Sequence, residues 1–329
     1  KAIEINPKSS YPFNMRGRAR QRLGDHQGAI VDFSKAIEIN PNNSFLYENR
    51  AYSKQQLDDH EGAINDLSKA IEINPKSSYA FNLRGYSKQI SGDIIGAIKD
   101  YEQVLKYGDK EEIVNSIESL VYLHLSRGKY SEIPLLIANL KRVTKYDKSQ
   151  ISIDAAKILY FEGNLYAVNG KQLEAINLLE KSVNILSKLN ENNHYIADAS
   201  KSLLIASYID IKEFKKAKSL IKKRSLEGQL SLAYIAFMKD DLNKAERILK
   251  RLYNLQEKNS KGTNKDPYLI GQLGSAYWWQ GKNIKALPLI KESVDRYEKT
   301  YGKSNPILIQ PLINLAMVYF NMKEYEKSK

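Results

Sequence analysis

Four histidines are the side chains in this chain best suited to chemistry: His26, His60, His124 and His194. An imidazole can ligate a metal or pass a proton near neutral pH. Either task needs partners close in space, and the sequence offers few. There is no cysteine, which removes disulfides, thiolate ligands and a thiol nucleophile. No HExxH motif, EF-hand loop or complete phosphate-binding loop occurs. The nearest fragment, Gly302-Lys303-Ser304, has Tyr297 where such a loop requires its first glycine. No Ser/His/Asp set stands out, and the carboxylates fall mostly on polar helix faces. The expectation is a segment with no catalytic residue, no metal and no cofactor.

Charge points elsewhere. The 329 residues carry a net charge of +13, unevenly placed. Residues 1–109 hold 15 Lys and Arg against 14 Asp and Glu, and residues 110–329 hold 36 against 24. A basic surface favours acidic partners or nucleic acid and says nothing about fold. No apolar run reaches the roughly 18–20 residues of a membrane span. The lack of cysteine fits a reducing cytoplasm. The chain opens at Lys1 in the middle of a pattern, so it reads as a piece of a longer protein.

That pattern is a repeat. The hexapeptide AIEINP stands at residues 2–7, 36–41 and 70–75, 34 residues apart each time. In register with it run Gly17, Ala51 and Gly85; Ala29, Ala63 and Ala97; and Ala36, Ala70 and Val104. Large residues form further columns: Phe13, Tyr47 and Phe81, then Phe33, Leu67 and Tyr101. Small residues let two helices approach, and large ones fill the space beside them. Leu23-Gly24-Asp25, Leu57-Asp58-Asp59 and Ser91-Gly92-Asp93 suit tight turns between antiparallel helices. Asn40-Pro41 and Asn74-Pro75 end the second helix of each unit. His26 and His60 hold equivalent places in consecutive units, about 20 Å apart for helices about 10 Å wide. That is too far to share a metal, so packing is their expected role. His124 falls on a core column, and His194 lies in a polar turn.

This unit of helix, turn, helix and proline stop resembles the tetratricopeptide repeat. The resemblance implies an all-α fold, a right-handed α-solenoid of stacked helix pairs, about eight to nine in all. It is strongest over residues 1–109, in regular units of which the first is truncated. Divergent pairs follow over 110–256. Val121, His124, Gly128, Tyr130 and Ile133 mark a fourth unit in which Ile133 replaces the usual alanine. A fifth has Gly163, Tyr166, Gly170, Ala175 and Leu179, and degenerate ones lie near Tyr208–Ala217 and Ala233–Ala245. Residues 257–266 are expected to be a flexible loop. Residues 267–329, with Gly274, Tyr277, Gly281, Ala286 and Ile290, resemble kinesin-light-chain repeats, the last one truncated. A 42-residue step from Gly274 to Ala316 supports that likeness. One continuous superhelix is expected.

In such arrays the first helix of each pair lines a concave groove. The resemblance places Tyr11, Asn14, Met15, Arg18, Gln21 and Arg22 there in the first unit. The second contributes Phe45, Glu48, Asn49, Tyr52, Gln55 and Gln56, and the third Tyr79, Asn82, Leu83, Tyr86, Gln89 and Ile90. The binding set is taken as Asn14, Arg18, Arg22, Asn49, Tyr52, Gln56, Asn82, Tyr86 and Gln89. Asn and Gln suit an extended peptide backbone, and Tyr gives contact area at low entropic cost. A chaperone-type clamp on a C-terminal carboxylate is not expected: of Asn14, Arg18, Asn49, Tyr79 and Leu83, only Asn49 matches that pattern. A second surface is the run Lys212–Arg224, read as a helix, with Lys215, Lys216, Lys218, Lys222, Lys223 and Arg224 outward and Phe214, Ala217, Leu220 and Ile221 as its apolar stripe. No aromatics interleave with these lysines, which weakens single-stranded nucleic acid as its partner.

The function these features imply is a non-catalytic scaffold that binds a peptide or protein partner, identity unspecified. Two alternatives stand beside it. One is a sensor or docking arm of a larger bacterial enzyme or signalling protein, such as a CHAT-type protease. The other is binding of acidic partners or nucleic acid by the basic later surface.

Overall fold

A computed structural model describes residues 8–260, 266–302 and 306–322. The first AIEINP copy, the middle of the link after Tyr301 and the end of the last unit lie outside them. Among the described residues there are seventeen α-helices and no strand. The chain is an all-α solenoid and divides into two compact units, Lys1–Gln150 and Ile151–Lys329. The change from regular to divergent repeats near residue 109 falls inside the first unit.

The first unit holds α1 (Ser10–Arg22), α2 (His26–Ile39), α3 (Ser44–Gln55), α4 (His60–Ile73), α5 (Ser78–Ile90), α6 (Ile94–Tyr107), α7 (Lys110–Ser126) and α8 (Ile133–Thr144). They pack as consecutive antiparallel pairs, each second helix also touching the next first helix. The turns within pairs use a left-handed residue: Gly24 at φ +80°, Asp58 at +60° and Gly92 at +85°. Asp25, Asp59 and Asp93 then cap the second helices, each accepting a 2.9 Å bond from the backbone N–H three residues on. The proline stops hold as read. The N–H groups of Asn40 and Asn74 bond to the carbonyls of Ala36 and Ala70 at 2.9 and 2.8 Å, and the chain then leaves the helix.

Packing follows the small and large columns. Phe33, Leu67, Ala29, Ala36, Ala51, Ala63 and Ala70 are fully buried. At Gly17 the Phe33 ring sits so close that an added Cβ would stand 2.8 Å from its Cε1. In the fourth pair the pattern relaxes. Lys129 leads into a 3-10 turn, Tyr130–Glu132, and α8 starts late, with Pro134 in its first turn and no side-chain cap. Ile133 still fills the small-column position and is fully buried.

The second unit holds α9 (Ile153–Val168), α10 (Gln172–Lys188), α11 (Tyr195–Asp210), α12 (Phe214–Leu220), α13 (Leu226–Met238), α14 (Leu242–Ser260), α15 (Pro267–Trp279), α16 (Asn283–Tyr301) and α17 (Ile309–Asn321). Ala175, Leu179, Ala217, Ala233, Ala245, Ala286 and Ile290 are buried, at the places the repeat assigns to them. Two expectations are corrected. The stretch read as loop from residue 257 is helical to Ser260, because no glycine or proline interrupts it before Gly262. Residues 261–265 lie outside the described residues, and Asp266 then caps α15 by accepting from Tyr268 N–H at 2.9 Å. The basic run is not one helix either: α12 stops at Leu220. Ile221 turns extended and is buried, and the next turn closes through the Lys222 carbonyl, which accepts from the Ser225 N–H at 3.0 Å.

Candidate functional site

The most regular polar residues of the first unit hold the pairs together. Arg16, Arg50 and Arg84 each grip an aspartate sixteen residues on. Nε and Nη2 donate to Asp32 at 2.9 and 2.6 Å, to Asp66 at 2.8 and 2.6 Å, and to Asp100 at 2.9 and 2.7 Å. A second cation shares each carboxylate: Arg20 at 2.9 Å, Lys54 at 2.8 Å and Lys88 at 2.8 Å. Each guanidinium also lies over a ring of its own helix, Phe13, Tyr47 or Phe81. Arg50 and Arg84 then reach back one unit to Ser34 and Ser68, at 3.0 and 3.1 Å. The sequence reading passed over these columns. The signal was there: one Arg and one Asp recur in place in all three units.

A second ladder corrects part of the groove reading. Gln21 donates to the Asn49 carbonyl and to Ser53 Oγ at 2.7 and 2.9 Å, and Gln55 to the Leu83 carbonyl and Ser87 Oγ, both at 2.7 Å. Gln55 is buried, as is Glu48, which accepts from Ser77 Oγ at 2.8 Å. These side chains tie one first helix to the next and are not free for a ligand. At the third step Val121 stands where Ser53 and Ser87 stood, and Gln89 instead accepts from Tyr101 Oη at 3.1 Å.

The remaining residues that the repeat pattern assigns to a groove lie on the first helices α1, α3 and α5. Arg18, Arg22, Tyr52, Gln56 and Tyr86 are exposed, while Asn14, Asn49, Asn82 and Gln89 are half-buried. Beside them Tyr11, Phe45 and Tyr79 are 67%, 64% and 43% exposed at the same place in each unit. Tyr52 and Tyr86 are set edge-on against His26 and His60, with ring centroids 6.4 and 6.0 Å apart. The two equivalent histidines thus support the exposed tyrosines of the following unit. His194 does more than sit in a turn. Its Nδ1 caps α11, accepting from the Ile196 N–H at 3.2 Å. His124 lines a cavity of about 540 Å³ with Leu105, Leu120, Leu135 and Leu136, and burial lowers its pKa.

The predicted basic residues are exposed but differently engaged. Lys215, Lys216 and Lys218 lie on α12, and Lys222, Lys223 and Arg224 on the loop after it. Lys216 stands over the Tyr208 ring at 5.5 Å, and Lys222 pairs with Asp198 at 2.9 Å. Among the described residues no group of three or more His, Asp or Glu could hold a metal ion, and no helix is long and apolar enough to cross a membrane.

Family models of the tetratricopeptide repeat match residues 11–43, 46–77 and 267–329. These stretches are tetratricopeptide repeats. Such repeats generally mediate protein–protein interactions, on a scaffold that is typically non-catalytic. Among solved structures, a tetratricopeptide repeat protein from Parabacteroides merdae is similar over 93% of this chain and 98% of its own, at 12% identity and a TM-score of 0.53, which shows the fold. YrrB, a TPR protein with an unusual peptide-binding site, covers 61% of this chain and 96% of its own, at 17% identity and TM-score 0.48. The first TPR of Spaghetti (RPAP3), bound to an HSP90 peptide, covers 36% and 94%, at 23% identity and TM-score 0.35. No curated protein matches the chain.

Proposed function

We propose that the first unit is a non-catalytic, cytoplasmic scaffold that binds an extended segment of a partner protein along α1, α3 and α5. One observation carries this reading. After the Arg–Asp and Gln–Ser ladders are assigned to folding, the same face keeps an exposed aromatic at one place in each of the three regular repeats, Tyr11, Phe45 and Tyr79. Tyr52 and Tyr86 stand exposed on it too, with the half-buried amides Asn49 and Asn82 between. Large rigid rings with interspersed amides suit a peptide: the rings take its side chains, and the amides its backbone.

The test is to pan random twelve-residue peptides on the chain and measure the winners by fluorescence anisotropy. Tyr52→Ala and Tyr86→Ala each weaken the selected peptides at least tenfold, the scale of an interface hot spot, with the melting curve unchanged. Peptides that bind equally well to both variants sink the proposal, as does a library that yields no binder.

A further inference from the structure

The second unit carries a basic surface that the repeat pattern does not explain. On α14 the buried residues Ala245, Leu249 and Leu252 face the neighbouring helices. The opposite side is a stripe of Arg247, Lys250, Arg251, Asn254, Leu255 and Lys258, all on this one helix. Arg247 and Lys258 are eleven residues apart, which spans about 16 Å of helix. All six residues are exposed.

Little neutralises these cations. Among the described residues Arg247, Arg251 and Lys258 have no ion-pair or hydrogen-bond partner. Lys250 feels the carboxylate of Glu246, but that group is already held by Lys282 at 2.9 Å. Like charges three and four residues apart repel one another on a helix. The stripe therefore works against its own helix until an anionic partner offsets it. The basic run on and after α12 differs, since it carries internal contacts at Lys216 and Lys222.

We infer that the outer face of α14 is a docking surface for an acidic amphipathic helix of a partner protein. Carboxylates at i, i+3, i+4 and i+11 on such a helix repeat the spacing of Arg247, Lys250, Arg251 and Lys258. Leu255, 46% exposed in the middle of the stripe, offers an apolar contact between the charges. Single-stranded nucleic acid is disfavoured, because no aromatic side chain stands in the stripe to stack a base.

The test uses the whole chain and three labelled probes read by fluorescence anisotropy at 50 and 300 mM salt. One probe is a sixteen-residue helical peptide with Glu at i, i+3, i+4 and i+11 and a central Leu. Another is a scrambled peptide of the same composition, and the third is a sixteen-nucleotide oligouridine. The helical peptide is expected to bind at least tenfold more tightly than the scrambled one and to weaken with salt. The double substitution Arg247→Glu/Arg251→Glu removes that binding at least tenfold, while Lys215→Glu/Lys218→Glu on α12 changes it less than twofold. Circular dichroism stays the same in both variants, since all four side chains are exposed. Tighter binding of the oligouridine overturns the inference in favour of a nucleic-acid surface. Equal binding of the scrambled peptide, equal loss in the α12 variant, or no binding of the helical peptide each overturns it outright.

Discussion

Arg50 closes on Asp66 through two nearly parallel bonds of 2.8 and 2.6 Å, and Lys54 adds a third contact to the same carboxylate at 2.8 Å. The pair joins the first helix of a unit to its second helix. Through Ser34, Arg50 also joins that unit to the one before. Such a charged cluster fixes the angle within a pair at three successive places in the first unit, and at two of them, Arg50 and Arg84, also the step between pairs. A buried carboxylate accepts this arrangement because both of its oxygens meet cationic donors.

Replacing Asp66 with Ala leaves two half-buried cations without their counter-charge. Urea unfolding should show a loss of about 3–5 kcal/mol, the range for breaking one partner of a buried pair. Asp32→Ala is expected to cost less, because the Arg16 side chain is 48% exposed, against 19% for Arg50, and water can replace the lost partner. Equal losses at the two sites, or a loss below about 1 kcal/mol at Asp66, would show that the cluster adds little to the stack.

The helices and turns were legible because their determinants are local. Gly24, Asp58 and Gly92 each sit at the left-handed turn position, and Asn40 and Asn74 stand at the helix ends. Burial of Ala29 or Phe33 follows from a column of small or large residues repeated at one interval. What failed was the sorting of polar residues. Gln55 and Glu48 look like groove residues, because nothing local says that a neighbouring first helix will offer the Leu83 carbonyl or the Ser77 hydroxyl. The same limit explains α12. Its lysines fit a helix pattern through Arg224, but the burial of Ile221 against neighbouring helices is a tertiary event. Tyr52 and Tyr86, assigned to the groove by repeat position, are exposed.

The small and large columns should be interchangeable as pairs. Gly17 faces Phe33, whereas the equivalent Ala51 faces Leu67 one unit later. Gly17→Ala puts a methyl 2.8 Å from the ring and is expected to cost about 1–3 kcal/mol by overpacking. Phe33→Leu alone leaves a void and also destabilises. The double variant recreates the Ala51–Leu67 combination and should recover at least 0.5 kcal/mol relative to the sum of the single changes. Strict additivity in thermal or urea melts would mean that the two residues do not share a contact.

Glu48 gives the pH prediction. It is only 3% exposed, and burial raises its pKa above the ordinary 4.5, partly opposed by the hydrogen bond from Ser77. A raised carboxyl pKa means that the folded chain holds this proton more tightly than the unfolded one. Stability therefore falls as pH rises from about 4.5 through the folded value, and the penalty persists at neutral pH. Gln at this position keeps an oxygen to accept from Ser77 and carries no charge to desolvate. Glu48→Gln should melt at a higher temperature than the parent at pH 7, and the gap should close near pH 4, where Glu48 is protonated in both states. Melting curves at the two pH values decide it. A variant no more stable than the parent at pH 7 would mean that the Ser77 bond outweighs the burial of the charge.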